Sequence, residues 1–169
     1  MKGQTDNQQR KVSESDMAWL AGFIDGEGTV GIKVANNRNG HIYFAPYVQI
    51  VNTHFATLDK VHQVLTDMQV GHHISEAKRH LAPNGKMKLA QYRPLWRVLI
   101  NGLMRCKSFL IPITPLFVTK RQDAETVIDF INSRESSYYK QLPYSNYELE
   151  LVNRFRRKRH SGRPTKEIR

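Results

Sequence analysis

The sequence predicts an α+β fold in which helices pack on one face of an antiparallel sheet. Three observations predict it. Apolar residues recur at helical spacing in one stretch and alternate in the next, giving the order helix, hairpin, helix, hairpin, then further helices. Turn-forming clusters, Asn36-Asn37-Arg38-Asn39-Gly40 and Pro83-Asn84-Gly85, sit midway along the two alternating stretches. The 169 residues suit one domain whose core is large enough to fold without staples. Residues 1–12 read as a flexible arm, 13–158 as the domain and 159–169 as a basic tail.

The first helix is expected from about Asp16 to Gly26. Ser13 and Ser15 offer N-caps, and Ser13 with Asp16 makes a weak capping box. Met17, Leu20 and Ile24 form one stripe; Ala18 and Gly22, four apart, form a small-residue groove beside it. Val30, Ile32 and Val34 alternate along a strand, and His41 to Val51 returns as its partner, although Pro46 disfavours a fully paired central position. Leu58, Val61, Val64, Leu65 and Met68 mark a second helix over Phe55–Met68. His72–Arg79 and Lys88–Ile100 form the second hairpin, with Trp96, Val98 and Ile100 on one face. Helices are expected over Leu103–Leu110 (ending before Pro112), Thr119–Ser133 and Asn146–Lys158.

Composition narrows the function. One cysteine, Cys106, excludes an internal disulfide framework and a Cys-based zinc site, and the seven histidines lack paired zinc-finger spacing. No apolar run approaches the roughly 20 residues of a membrane helix, so no membrane partner is expected. No secretory signal is evident at the start, which suits a prokaryotic cytoplasm or nucleoid, or an organelle matrix if the gene is organellar. The 26 Lys and Arg against 15 Asp and Glu give a net charge of +11, and nucleic acid is the first candidate partner. From Arg154 onward eight basic residues face Glu167 alone, which places +7 of that charge in the C-terminal stretch.

If helices cover one face of the sheet, strand alternation puts Thr29, Lys33, Tyr43, Tyr47, Gln49, Ser75, Arg79, Gln91, Arg93 and Arg97 on the other. A two-stranded ribbon fits the major groove, where Arg and Gln read base edges and Lys reaches phosphate; an ordinary solvated face would have a similar composition.

The most informative run is Leu20-Ala-Gly-Phe-Ile-Asp-Gly-Glu-Gly28, which occurs once. It ends a helix on two carboxylates and two glycines, and a carboxylate at a helix C-terminus opposes the macrodipole. The run resembles the LAGLIDADG motif of the homing endonucleases, with Phe for Leu, Gly for Ala and Glu for the second Asp. Pro115-Leu-Phe-Val-Thr-Lys120-Arg-Gln is similar to the family segment that bears a basic active-site residue. The resemblance covers roughly residues 15–135.

That resemblance implies an αββαββα fold with a saddle of strands lying on DNA. A single motif implies a homodimer, with Ala18, Ala21, Gly22 and Asp25 at the helix–helix interface and a near-palindromic double-stranded target. Glu27 aligns with the family's metal-binding acid, and the Gly26 carbonyl is an accessory ligand. The ion would be Mg²⁺ or Mn²⁺, with Ca²⁺ able to occupy the site without supporting cleavage. Lys120 matches the family's peripheral lysine, and Asn52 stands where relatives carry Gln or Asn near the attacking water. Arg121 is a phosphate contact, and Asp25 a structural group rather than a ligand. The implied activity is an intron-encoded, site-specific double-strand DNA endonuclease that leaves 3′ overhangs. Two rivals use the same scaffold: a maturase acting on intron RNA, and a catalytically inactive DNA-binding regulator.

Overall fold

The computed structural model describes residues 12–36, 39–77, 94–138 and 142–159, with side chains as far as Phe155 in the last stretch. The elements are α1 (Glu14–Glu27), β1 (Gly28–Asn36), β2 (Ile42–Asn52), α2 (Phe55–Asp67), β3 (His73–Glu76), β4 (Trp96–Asn101), α3 (Leu103–Ile113), a 3₁₀ turn (Thr114–Leu116), α4 (Arg121–Tyr138) and α5 (Asn146–Arg159). The strands form one antiparallel sheet in the order β1-β2-β4-β3. The α+β expectation holds. Arg79, Gln91 and Arg93, the N-terminal arm up to residue 11, the tail from residue 160 and the Pro83-Asn84-Gly85 turn lie outside the described residues.

Local chemistry sets the elements. The Ser13 hydroxyl caps α1, accepting from the Asp16 N–H at 3.0 Å and donating to the Asp16 carboxylate at 2.8 Å, which realises the predicted pair. Leu20 and Ile24 of the predicted stripe are buried, and Met17 is half-buried. In α2 the predicted Leu58, Val61, Val64 and Leu65 all enter the core, each contributing on the order of 1.5–3 kcal/mol by leaving water. Val30, Ile32, Val48, Ile50, Val98 and Ile100 share the helix-covered face and are buried. Burial pushes the Cys106 thiol up to about 12, so this cysteine packs as a small apolar group.

Of the two expectations about proline, the one for Pro46 holds and the one for Pro112 is corrected. Pro46 sits within a central strand, pairs with Ile32 and is buried. The pairing of β2 with β4 covers only Tyr47–Asn52 on the β2 side, and the Pro46 carbonyl instead accepts from the Gly102 N–H at 3.3 Å. A strand residue's N–H and C=O point the same way, so the donor that proline lacks faces the side where β4 has already ended. The α3 helix runs through Pro112 instead of stopping before it. Pro112 is exposed in the last turn, where one lost hydrogen bond leaves only a carbonyl facing water; buried Ile113 and the bond from Thr114 Oγ1 to the Leu110 carbonyl, 2.6 Å, hold that turn in place.

The last helix is anchored by a feature beyond apolar spacing. The Ser145 hydroxyl accepts from the Glu148 N–H at 3.2 Å and the Glu148 carboxylate accepts from the Ser145 N–H at 2.6 Å, a complete capping box. Buried Arg134 reaches the same corner from α4, donating to the Leu142 carbonyl at 2.7 Å and stacking on the Tyr144 ring at 4.1 Å.

Candidate active site and nucleic-acid interface

The chain passes from α1 into β1 with no loop. The Gly28 N–H bonds the Ile24 carbonyl, and a Cβ on Gly28 would stand 2.7 Å from Ile24 Cγ2 and 2.8 Å from the Ile24 oxygen. Only glycine lets the strand leave the helix this tightly, so the orientation of Glu27 is fixed by backbone on both sides. Glu27 is exposed and has no hydrogen bond or ion pair among the described residues. Gly26 is exposed beside it, and its carbonyl is one of the last four of the helix, which have no partner within it.

Asp25 faces the other way and is fully engaged. Its carboxylate accepts from the Val118 N–H at 2.7 Å, the Thr119 hydroxyl at 2.9 Å and the Lys120 N–H at 2.9 Å. Burial pushes the Asp25 carboxyl up, but the hydrogen bonds from Val118, Lys120 and Thr119 outweigh it and hold its pKa below the ordinary carboxylate value. These donors repay the carboxylate for its unfavourable place at a helix C-terminus. The Lys120 ammonium in turn donates to the Asp25 main-chain oxygen at 2.5 Å. Lys120 is therefore tied, through both backbone and side chain, to the residue two before Glu27.

The strand register puts the predicted reading residues together. Thr29 pairs with Gln49, Lys33 with Ala45, and Ser75 with Arg97, so Thr29, Lys33, Tyr43, Tyr47, Gln49, Ser75 and Arg97 all fall on the face opposite Val30 and Val48. Arg97 donates to the Ser75 hydroxyl at 3.1 Å, while its buried Nε has no acceptor among the described residues. Tyr47 is a correction. The expectation is an open face, but Tyr47 is 6% exposed, and both its ring and that of Phe155 from α5 lie beside Gly31.

No protein-family model matches the sequence, and no curated protein does. Solved structures do. The DNA-complexed, group I intron-encoded homing endonuclease I-CeuI aligns at TM-score 0.63 and 15% identity, covering 89% of this chain and 70% of its own. I-CvuI, a homing endonuclease in complex with its target in the presence of Ca, aligns at TM-score 0.60 and 16% identity over 92% of this chain and 90% of its own. The LAGLIDADG homing endonuclease I-SmaMI, bound to cleaved DNA, aligns at TM-score 0.60 and 14% identity over 97% of this chain but 49% of its own. The chain has the LAGLIDADG homing endonuclease fold.

In this fold the run Leu20–Gly28 falls at the α1–β1 junction, beside the four-stranded antiparallel sheet. Ala18 and Gly22 are exposed, and a Cβ on Gly22 or Gly26 would meet nothing within 4 Å. Ala21, expected at a helix–helix interface, is a correction: it is 1% exposed and belongs to the core of this chain. Arg121, expected at phosphate, donates to the carbonyls of Phe117 at 3.1 Å and Pro115 at 2.5 Å and so closes the 3₁₀ turn. Asn52 accepts from the His54 N–H at 2.8 Å at the entrance to α2.

Proposed function

We propose that the chain is a site-specific, divalent-metal-dependent double-strand DNA endonuclease acting as a homodimer. The observation that carries this reading is the pairing at the end of α1. Exposed Glu27, unpartnered among the described residues, stands two residues from the oxygen that holds the Lys120 ammonium. A hard cation fits the donors: a carboxylate with no competing partner among the described residues, and the Gly26 carbonyl at the helix end. Among the described residues no group of three His, Cys, Asp or Glu is placed to hold a metal, and in this reading one subunit brings part of the ligand set. A second copy's Glu27 and substrate phosphates supply the rest. The bound ion would activate water and neutralise charge on the phosphate. Lys120 adds a positive charge beside it, held in place before substrate arrives.

The exposed side of α1 supports self-association. Ala18, Gly22 and Gly26 leave room for close helix approach, and exposed Trp19 (37%), Leu116 (40%) and Val118 (85%) give apolar surface around them. I-SmaMI, in which this chain matches about half the length, fits the same reading: two copies here would equal one chain there. Incubating the protein and Mg²⁺ with a randomised DNA library and sequencing the cut ends tests the proposal. A recurrent near-palindromic site with a constant strand offset is expected; absence of Mg²⁺-dependent cutting refutes it.

Arg97 is the best-placed described side chain for base recognition. Arg97→Ala is expected to relax discrimination at particular base pairs by about 1–3 kcal/mol each. Competition binding against single-base variants of the target checks this, and a loss equal over all sequences would show phosphate contact alone.

A further inference from the structure

The reading face of the sheet is not open along its whole length. A Cβ on Gly31 would lie 3.4 Å from a ring carbon of Phe155 and 3.6 Å from the ring of Tyr47. Gly31 and Tyr47 are cross-strand partners on the face opposite Val30 and Val48, so Phe155 reaches round the free edge of β1 and sits on the reading face. Gly31 is the socket: with no side chain, it leaves room for the ring.

We infer that α5 is a clamp for the phosphate backbone of duplex DNA, anchored on the reading face by Phe155. The inference rests on the reading of the chain as a DNA-binding nuclease. Three observations support it. First, α5 is held from its start to Phe155. The Ser145–Glu148 capping box holds its start, Leu151 and Val152 are 1% exposed, and Phe155 is 7% exposed. Second, the residues after the anchor are basic and still helical: Arg156, Arg157, Lys158 and Arg159 complete about one turn, so all lie within about 6 Å of Phe155 along the axis. Third, no acid occurs between Glu150 and Glu167, and the ion pair of Glu150 with Arg154 is long, 3.9 Å, and exposed, so it holds little charge back. Lys33, whose ammonium lies 5.7 Å from the centre of the Tyr47 ring, adds a positive charge on the same face of the sheet. Tyr47 thereby supports the clamp and does not read bases.

The test is salt-dependent binding of the full-length chain to a random-sequence DNA duplex, followed by fluorescence anisotropy. One variant carries Arg156→Gln, Arg157→Gln, Lys158→Gln and Arg159→Gln together; the other is Phe155→Ala, with its folding checked by thermal unfolding. The quadruple variant is expected to lower the slope of log K against log salt by about 2–3 and to weaken binding on the order of tenfold at physiological salt. Phe155→Ala should shift both in the same direction by less. Unchanged slope and affinity in the quadruple variant, with the intact chain still binding, overturns the clamp, and so does tighter binding by a folded Phe155→Ala, which would show that α5 obstructs the face. If the intact chain failed to bind the duplex at all, the DNA reading itself would fall and the clamp with it. Preference of the intact chain for structured RNA would have the same consequence.

Discussion

Glu27→Gln is expected to abolish Mg²⁺-dependent cleavage while leaving specific DNA binding intact. The substitution keeps shape and removes only charge. It does not disturb the fold, because Glu27 is exposed and engages no other described residue. A hard divalent ion needs anionic oxygen, and an amide would be a poor substitute in the proposed site, to which each copy would bring one carboxylate. An ion held there would supply several kcal/mol of transition-state stabilisation, which the variant would forfeit. At about 1.4 kcal/mol per decade, cleavage should fall by at least roughly a thousandfold. Plasmid nicking and gel-shift binding, run on the same preparation, separate the two effects. Undiminished cutting by the variant would remove Glu27 from the site and, with it, the reason for reading the end of α1 as catalytic.

Most of the scaffold is local, and local features were legible. The Leu20/Ile24 stripe, the Ser13 cap and the four buried residues of α2 follow from periodicity within one turn or two. The alternation of Val30 and Ile32, and of Trp96, Val98 and Ile100, assigned the sheet faces before the register was known, and the register agrees. Contacts between distant parts of the chain were not legible. The seat of Phe155 on Gly31 joins residues more than a hundred positions apart, and nothing near either one announces it. Small residues are ambiguous for a related reason: Ala18 and Ala21 read alike in sequence, yet the turn of the helix exposes one and buries the other. Arg121 shows the same limit for charge, since a basic residue beside a candidate site was free on paper and is spent on two carbonyls of its own chain. The Ser145–Glu148 capping box is different, a local signature fully present in the sequence at a helix that apolar spacing alone also locates.

Asp25 is where such a distant contact matters most for activity. Its carboxylate gathers three donors from Val118, Thr119 and Lys120, more than ninety residues on. Asp25→Ala leaves those donors without their acceptor. The loop is accessible to water, which discounts the loss of charged hydrogen bonds to about 1 kcal/mol of stability. The effect on cleavage should be larger. The Lys120 ammonium still has a main-chain oxygen to bind, but the backbone that delivers it is no longer fixed, and a displacement of about 1 Å at a reacting centre costs on the order of a hundredfold in rate. DNA affinity should be nearly unchanged, which distinguishes loss of positioning from loss of binding. Asp25→Asn should fare no better, because one amide nitrogen would face an N–H donor in place of an acceptor. The pH dependence follows from the lowered pKa of Asp25. A carboxyl held below its unfolded value stabilises the fold fully above the ordinary carboxylate range, and the contribution is lost as pH falls through the lower, folded value. The stability gap between the natural chain and Asp25→Ala should therefore be constant from about pH 5 to 7 and close below about pH 4. Thermal unfolding of both proteins across that range measures it. A gap of equal size at pH 3, or full cleavage by Asp25→Ala at neutral pH, would show that the carboxylate does not hold Lys120 in place.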